Sequence, residues 1–170
     1  MKTLPHCLIA TVESDSHMWN LVYLQLWLAE HGFSVKNLGS CTPVDAVLAA
    51  LQQRRTQLLV VSSVNGHGYS QGLELIRQVS RLHPHLPCVS GGKLTTSEDE
   101  TLAVRQPLID AGYQQEFVGA DAIQAFSAYL GTLHSQHDAE HAPANSVPSF
   151  ARAQAGMVFA LKRARRSTDL

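Results

Sequence analysis

The stretch Leu58-Leu59-Val60-Val61-Ser62 is the clearest candidate for a buried strand in the chain. A short, uninterrupted apolar run bounded by polar turns is typical of a central strand that is covered on both faces of its sheet. A small, glycine-containing loop over residues 63–70 follows it, and a helix is predicted over residues 71–83. This order of strand, loop and helix is the unit that repeats along the chain.

The pattern predicts five such units. Strands are predicted over residues 6–12, 33–38, 58–62, 87–90 and 115–118, and helices over residues 20–31, 42–55, 71–83, 100–111 and 120–133. Thr42 is the expected N-cap of the second helix, because a first-turn proline and an acid follow it. Alternating strands and helices without a hairpin signal favour an α/β fold with a doubly wound parallel sheet. The flavodoxin-like strand order 2-1-3-4-5 and the Rossmann-like order 3-2-1-4-5 both fit.

Composition narrows the class of protein. The chain has 170 residues, a net charge of −1 and 45% hydrophobic residues, which predicts one core-forming domain with an appendage and no nucleic-acid partner. No apolar run approaches the length of a membrane span, so no membrane partner is expected. The first strand begins within a few residues of Met1, which predicts a cytoplasmic protein without a signal peptide. Cys7, Cys41 and Cys88 are too scattered for a zinc motif and are expected to be reduced thiols.

The composition changes near residue 133. We expect a binding domain over residues 1–133, a flexible linker over 134–150 and a basic tail over 151–170 that can form a helix. The residues before 134 include 8 basic and 11 acidic side chains, while those from 134 onward include 5 and 3. The tail therefore has a net positive charge and the domain a net negative one.

Under the flavodoxin-like order, the loops over residues 13–20 and 63–70 meet at the carboxyl ends of the first and third strands. The first loop contains Asp15 and His17. A histidine with one ring nitrogen free can bind a metal while a carboxylate accepts the N–H of the other nitrogen, which fixes the tautomer. The pair is therefore a candidate metal site, although an N-cap aspartate beside a solvated histidine gives the same short pattern.

Three other functions of such folds fit less well. The first loop has no glycine and the chain has no G-x-G-x-x-G or Walker motif, which argues against nucleotide binding. A receiver domain needs an aspartate at the end of the third strand, where this chain has Ser62 and Ser63. A flavodoxin has a Ser/Thr-rich phosphate loop before its first helix, where this chain has Asp15, His17 and Trp19.

Three segments resemble the motifs of cobalamin (vitamin B12)-binding domains. Residues 14–20 read Ser-Asp-Ser-His-Met-Trp-Asn and resemble the D-x-H-x-x-G motif, with Asn20 in place of the glycine. Residues 61–68 read Val-Ser-Ser-Val-Asn-Gly-His-Gly and resemble the S-x-L motif with its glycine-rich turn, and residues 89–92 resemble the double glycine. Over residues 6–133 the order and spacing are most similar to the small (sigma) subunits of glutamate mutase (methylaspartate mutase). The predicted fold is accordingly a three-layer, five-stranded parallel sheet of flavodoxin-like order 2-1-3-4-5.

The resemblance implies the base-off, His-on mode of cobalamin binding. His17 would replace the cofactor's dimethylbenzimidazole as the lower cobalt ligand, and Asp15 would accept a hydrogen bond from its other nitrogen. The displaced nucleotide tail would lie against residues without bulk, with the Ser62 hydroxyl bonded to a benzimidazole nitrogen. The predicted cofactor-binding residues are Ser14, Asp15, Ser16, His17, Met18, Ser62, Ser63, Val64, Gly66, Gly91, Gly92, Lys93, Leu94, Thr95, Thr96, Ser97 and Gly119, with His17 as the metal ligand and no catalytic residue.

The resemblance also implies adenosylcobalamin as the cofactor and a radical isomerase reaction on glutamate or another amino acid. Because a (β/α)8 barrel needs roughly 250 residues, the substrate chamber is expected in a separate large catalytic subunit, without which this chain is inactive. Two alternatives stay open: a corrinoid-carrying module for a methyltransferase or radical partner, and a regulatory relative without the cofactor. Asn20 bears on the second alternative, because its side chain adds volume beside the expected tail.

Overall fold

The computed structural model describes residues 4–140, without the side chains of residues 98, 99, 101, 102 and 136–140. Strands and helices alternate along this part of the chain. In order they are β1 (His6–Ala10), α1 (Met18–Glu30), β2 (Ser34–Asn37), α2 (Val44–Gln53), β3 (Leu58–Ser63), α3 (Gly68–Leu82), β4 (Cys88–Gly92), α4 (Glu98–Ala111), β5 (Gln115–Phe117) and α5 (Ala122–Glu140).

The strands form one parallel sheet in the order β2-β1-β3-β4-β5, so the flavodoxin-like prediction is confirmed. Every residue of β1 and β3 is buried, as the uninterrupted apolar runs predicted. After β1 the chain adds β2 on one side of that strand, and β3 then pairs with β1 on the other side. The strand order therefore changes direction between β1 and β3, which makes this position the switch point of the sheet. The register places Ala10 beside Val61 and Ser62 beside Gly91, which brings the carboxyl ends of β1, β3 and β4 together at one edge.

Helices cover both faces of the sheet. On one face, strand residues such as Leu59 and Val61 pack with α2, α3 and α4 in a single buried cluster. On the other face, α1 contributes three buried leucines, and the ring of Phe126 on α5 lies 4.8 Å from that of Phe117 at the end of β5. This second face also contains the cavity described below.

All five helix starts differ from the predicted residues by two or three positions, and two of these differences have an identifiable cause. Helix α1 begins at Met18 instead of residue 20, because the Asp15 carboxylate accepts the His17 backbone N–H and turns the chain directly into the helix. Helix α2 begins at Val44, and Thr42 does not cap it, so that N-cap prediction was wrong. The Thr42 hydroxyl instead donates to the carbonyl of Gly39 and accepts the backbone N–H of Thr11, which ties together two loops at the carboxyl edge.

The first compact unit of the chain ends at Leu130, and α5 continues to Glu140. The first seven residues of the predicted linker are therefore helical. The rest of that linker and the predicted basic tail lie outside the described residues. Among the described residues, no helix is both long enough and apolar enough to span a membrane.

Candidate functional site

Asp15 is the centre of a hydrogen-bond network at the carboxyl edge of the sheet. Its Oδ1 atom accepts the His17 backbone N–H at 2.9 Å and lies 2.7 Å from His17 Nδ1. Its Oδ2 atom accepts the Ser63 hydroxyl at 2.8 Å and the Val64 backbone N–H at 2.7 Å. The side chain is buried, with an exposed fraction of 2%. This network joins the β1–α1 loop to the end of β3.

These hydrogen bonds determine the charge of Asp15. Burial alone would raise the pKa of its carboxyl group, but the donors from His17, Val64 and Ser63 outweigh burial and lower the pKa to about 2. Asp15 is therefore a carboxylate at neutral pH and can only accept hydrogen bonds. It follows that Nδ1 of His17 bears the ring hydrogen in the neutral imidazole, so the lone pair is on Nε2.

His17 itself stands at the N-cap of α1, with 57% of its side chain exposed. Because Nδ1 faces the buried Asp15, the exposed part of the ring includes Nε2. No described residue forms a hydrogen bond with Nε2. One imidazole nitrogen is therefore accessible, and its direction is set by the contact between the other ring nitrogen and a carboxylate. Histidine ligands of metals adopt this arrangement in proteins.

A cavity of about 350 Å³ opens beside this network, between α1, α5 and strands β3, β4 and β5. This volume lies within the usual range of small-molecule sites. Its walls are mostly apolar, and the polar side chains Asn20 and Ser62 stand together on one wall. The principal apolar lining residues are Tyr23, Leu24, Val60, Phe117, Ile123 and Phe126. The cavity therefore suits an extended ligand that is largely apolar and has a few polar atoms.

Gly91 and Gly92 lie along the cavity where β4 ends. A Cβ atom on Gly91 would lie 2.7 Å from the carbonyl oxygen of Phe117, and a Cβ atom on Gly92 would overlap the carbonyl oxygen of Ser63. Gly92 also has a φ of +100°, which side chains disfavour. The sequence therefore needs glycine at both positions for backbone reasons, and the absence of side chains also keeps this wall open.

The segment from Lys93 to Ser97 has mostly structural contacts. Lys93 lines the cavity, and its backbone bonds to Ser63 and Gly66 close the loops over β3 and β4. Leu94 and Thr95 are buried, and Ser97 caps α4 by accepting the Glu100 N–H. Of the predicted cofactor contacts in this segment, the structure brings only Lys93 to the cavity.

The remaining predicted residues are divided between the edge and the cavity. Val64 and Gly119 line the cavity. Ser14 is exposed at the edge, where its hydroxyl accepts a hydrogen bond from Asn65 Nδ2 at 3.0 Å. Ser16 and Met18 flank His17 and are exposed as well. Gly66 is buried in the loop after β3 with its backbone N–H bonded to the carbonyl of Lys93.

Sequence reasoning missed the apolar side chains that line the cavity and also one polar contact at its wall. The predicted role of Asn20 was added bulk, whereas the structure shows a specific bond: its Nδ2 atom donates to the Ser62 hydroxyl at 2.7 Å. The two residues are 42 positions apart, so no local pattern could have indicated the contact. The bond fastens the first turn of α1 to the end of β3 at the cavity wall.

Comparisons with known proteins identify a family and several similar proteins. The family model of the B12-binding domain matches residues 5–122. The glutamate mutase sigma subunit of Halobacterium salinarum is 26% identical over 138 residues, which cover 81% of this chain and 91% of that protein. Two solved structures share the fold. A cobalamin-binding protein from Desulfitobacterium hafniense has a TM-score of 0.58 and 16% identity, covering 78% of this chain and 59% of that one. A Francisella response regulator receiver domain has a TM-score of 0.57 and 12% identity, covering 78% and 98%.

Proposed function

Because the chain belongs to the family of B12-binding domains, we propose that it is the cobalamin-binding subunit of an adenosylcobalamin-dependent carbon-skeleton mutase of the glutamate mutase type. The similarity to a protein named as a glutamate mutase sigma subunit supports this assignment, because the alignment spans 91% of that protein. The observation that carries the proposal is the hydrogen bond between buried Asp15 and exposed His17 at the carboxyl edge of the sheet.

In this proposal His17 would bind the cobalt of the cofactor through Nε2. Its geometry supports the role, because Nε2 is exposed while Nδ1 is held at 2.7 Å from the Asp15 carboxylate. A free metal ion needs about four ligands in a structural protein site. One imidazole would be sufficient to hold cobalt in a corrin, because the macrocycle would already bind the metal. Asp15 fixes the direction of the imidazole through the contact with Nδ1.

The nucleotide tail of the cofactor would occupy the cavity beside α1. The fit is favourable, since the walls are apolar enough for a benzimidazole ring and Ser62 offers a hydroxyl to one of its nitrogens. Gly91 and Gly92 leave room beside the backbone of β4. Ser14, Ser16, Met18 and the backbone near Gly66 lie at the edge, where they would contact the corrin and its amide groups.

When bound, adenosylcobalamin would supply the radical chemistry that such a rearrangement needs. The residues of this chain hold and orient the cofactor, and none of them is assigned to substrate. The elements over residues 4–140 build the sheet and its cover. We therefore assign the substrate chamber to a separate large subunit with a (β/α)8 barrel, and the sigma-subunit name of the relative supports a multi-subunit enzyme.

An absorbance titration tests the binding mode. Purified chain is mixed with adenosylcobalamin, and a base-off, His-on spectrum is expected for the wild type. His17→Ala should lose it. His67→Ala is the matched control, because His67 is also exposed in an edge loop but bonds only to Asn65. No binding by the wild type, or loss of the spectrum in His67→Ala but not in His17→Ala, would overturn the proposal.

An activity assay tests the partner. The chain with adenosylcobalamin and glutamate should form methylaspartate only after a glutamate mutase large subunit is added. Turnover by the chain alone contradicts the assignment of the chamber to a partner. Tight cofactor binding without any mutase turnover favours a corrinoid carrier for a methyltransferase instead.

A further inference from the structure

Asn20 stands where the family's motif has a glycine, and its side chain has a defined partner. It lies in the first turn of α1, and its Nδ2 atom donates to Ser62 Oγ at 2.7 Å. Ser62 is 5% exposed and belongs to the sheet, so its position is fixed by β3. Both side chains line the cavity. The contact therefore places an amide and a hydroxyl group side by side on one wall of the cavity.

The chemistry of a hydroxyl group makes this contact directional. A serine hydroxyl has one hydrogen to donate and two lone pairs with which to accept. Accepting from Asn20 Nδ2 occupies a lone pair and leaves the hydrogen free to point elsewhere. Among the described residues, the Ser62 hydroxyl forms this bond with Asn20 and donates its own hydrogen to no protein acceptor. The bond from Asn20 thus leaves Ser62 as a hydrogen-bond donor toward the cavity.

We infer that Asn20 is a positioning residue that holds the Ser62 hydroxyl as a donor to an acceptor nitrogen of the cofactor's nucleotide base. The inference rests on the proposed function, since it requires the nucleotide tail to enter the cavity. Under this inference the Asn20 side chain strengthens cobalamin binding. A side chain that only narrowed the cavity would weaken binding, and glycine would restore it.

Three variants separate these two effects. Asn20→Asp keeps the size of the side chain but has acceptors only at neutral pH, so the Ser62 hydrogen turns toward the carboxylate and away from the cavity. Asn20→Gly removes both the bulk and the hydrogen bond. Ser62→Ala removes the donor itself, and it allows a double-mutant cycle with Asn20→Asp.

The experiment compares two ligands by absorbance titration. Cobalamin has the nucleotide tail, while cobinamide has the same corrin without the nucleotide. We expect Asn20→Asp to weaken cobalamin binding about tenfold, which corresponds to one hydrogen bond of about 1.4 kcal/mol, and to leave cobinamide binding unchanged. Ser62→Ala should weaken cobalamin binding by a similar factor, and the double variant should show no additional loss.

Several results would overturn the inference. Cobalamin affinity of Asn20→Asp equal to that of the wild type does so, as does equal weakening for both ligands. If Asn20→Gly binds cobalamin more tightly than the wild type while the affinity of Asn20→Asp is unchanged, the role of Asn20 is purely steric and the inference is wrong. If Asn20→Asp does not fold, Asn20→Ala replaces it in the cycle with Ser62→Ala, where additive losses contradict coupling. A wild-type chain that binds neither ligand refutes the proposed function, and the inference falls with it. A wild type that binds both ligands equally refutes the inference alone.

Discussion

His17 Nδ1 lies 2.7 Å from Oδ1 of Asp15, and the same carboxylate accepts two donors from the end of β3 through its other oxygen. The histidine is exposed and the aspartate is buried. The direction of one accessible ring nitrogen is thus determined by the packing of the sheet beneath it. This relationship explains why Asp15 is as important to the proposed site as the ligand itself.

Asp15→Asn tests that relationship. An asparagine has one acceptor oxygen, so the donors on one side of the side chain lose their partner. We expect a loss of about 1–3 kcal/mol in the free energy of unfolding. Cobalamin affinity should fall about 10–100-fold, the usual effect of removing the carboxylate behind a histidine ligand. Urea unfolding and absorbance titration measure both quantities.

The matched control is Asp45→Asn, because Asp45 is exposed in the first turn of α2. It should change neither the unfolding free energy by more than about 0.5 kcal/mol nor cobalamin affinity. Equal behaviour of the two variants would show that Asp15 does not orient His17.

Gly92→Ala tests the close approach of β3 and β4. A Cβ atom there would overlap the Ser63 carbonyl oxygen, and the residue has a positive φ. The left-handed backbone costs about 1–2 kcal/mol with alanine, and the overlap adds about 1–3 kcal/mol. We expect a lower melting temperature and weaker cobalamin binding, because the cavity wall must shift.

Gly119→Ala provides the comparison for that variant. Gly119 has a φ of +85°, but a Cβ atom would meet nothing within 4 Å. It should therefore show the backbone cost alone. If Gly92→Ala destabilises the chain no more than Gly119→Ala does, the close contact with Ser63 does not constrain the site.

Glu116 provides a pH-dependent prediction. It pairs with Ser90 across β4 and β5, it is buried, and neither carboxylate oxygen has a hydrogen-bond partner among the described residues. Burial raises the pKa of Glu116 above its ordinary value of 4.5, against a smaller lowering by Arg105. Because the raised pKa belongs to the folded state, the carboxyl group ionises at a lower pH in the unfolded chain. The free energy of unfolding therefore decreases as the pH rises from about 4.5 through the raised pKa.

Glu116→Gln removes this ionisation. At pH 7 the variant should be more stable than the wild type by about 1–3 kcal/mol, and the difference should shrink as the pH falls through the raised pKa toward 4.5. Urea unfolding at several pH values measures it. Glu74→Gln is the control, because Glu74 is exposed on α3 and its substitution should change the unfolding free energy by no more than about 0.5 kcal/mol. A difference for Glu116→Gln that does not vary with pH would contradict the explanation.

The sequence allowed the fold and half of the site to be predicted, for physical reasons. Buried parallel strands appear in the sequence as apolar runs, and their alternation with helices is compatible with few topologies. Asp15 and His17 are two positions apart in one loop, so their pairing is local. The contact of Asn20 with Ser62 depends on how α1 packs against β3, and no local sequence pattern predicts that packing.

The segment after β4 shows a second limit. Resemblance to a family predicts which positions approach a cofactor, but it does not give the direction of each side chain. Leu94 points into the core and Ser97 caps α4, whereas Lys93 lines the cavity. The unpaired carboxylate of Glu116 was equally inaccessible to pattern analysis, because burial at an edge strand depends on the covering helix.

The central claim is that His17 binds cobalt in place of the cofactor's own base. The most direct measurement is the EPR spectrum of the chain with cob(II)alamin, prepared once with ordinary histidine and once with histidine labelled by the heavier nitrogen isotope. We predict that the nitrogen splitting changes from triplets to doublets in the labelled protein, because the lower ligand is then a labelled imidazole. Triplets that persist in the labelled protein would mean that the cofactor's base remains on cobalt, and they would contradict the assignment of His17.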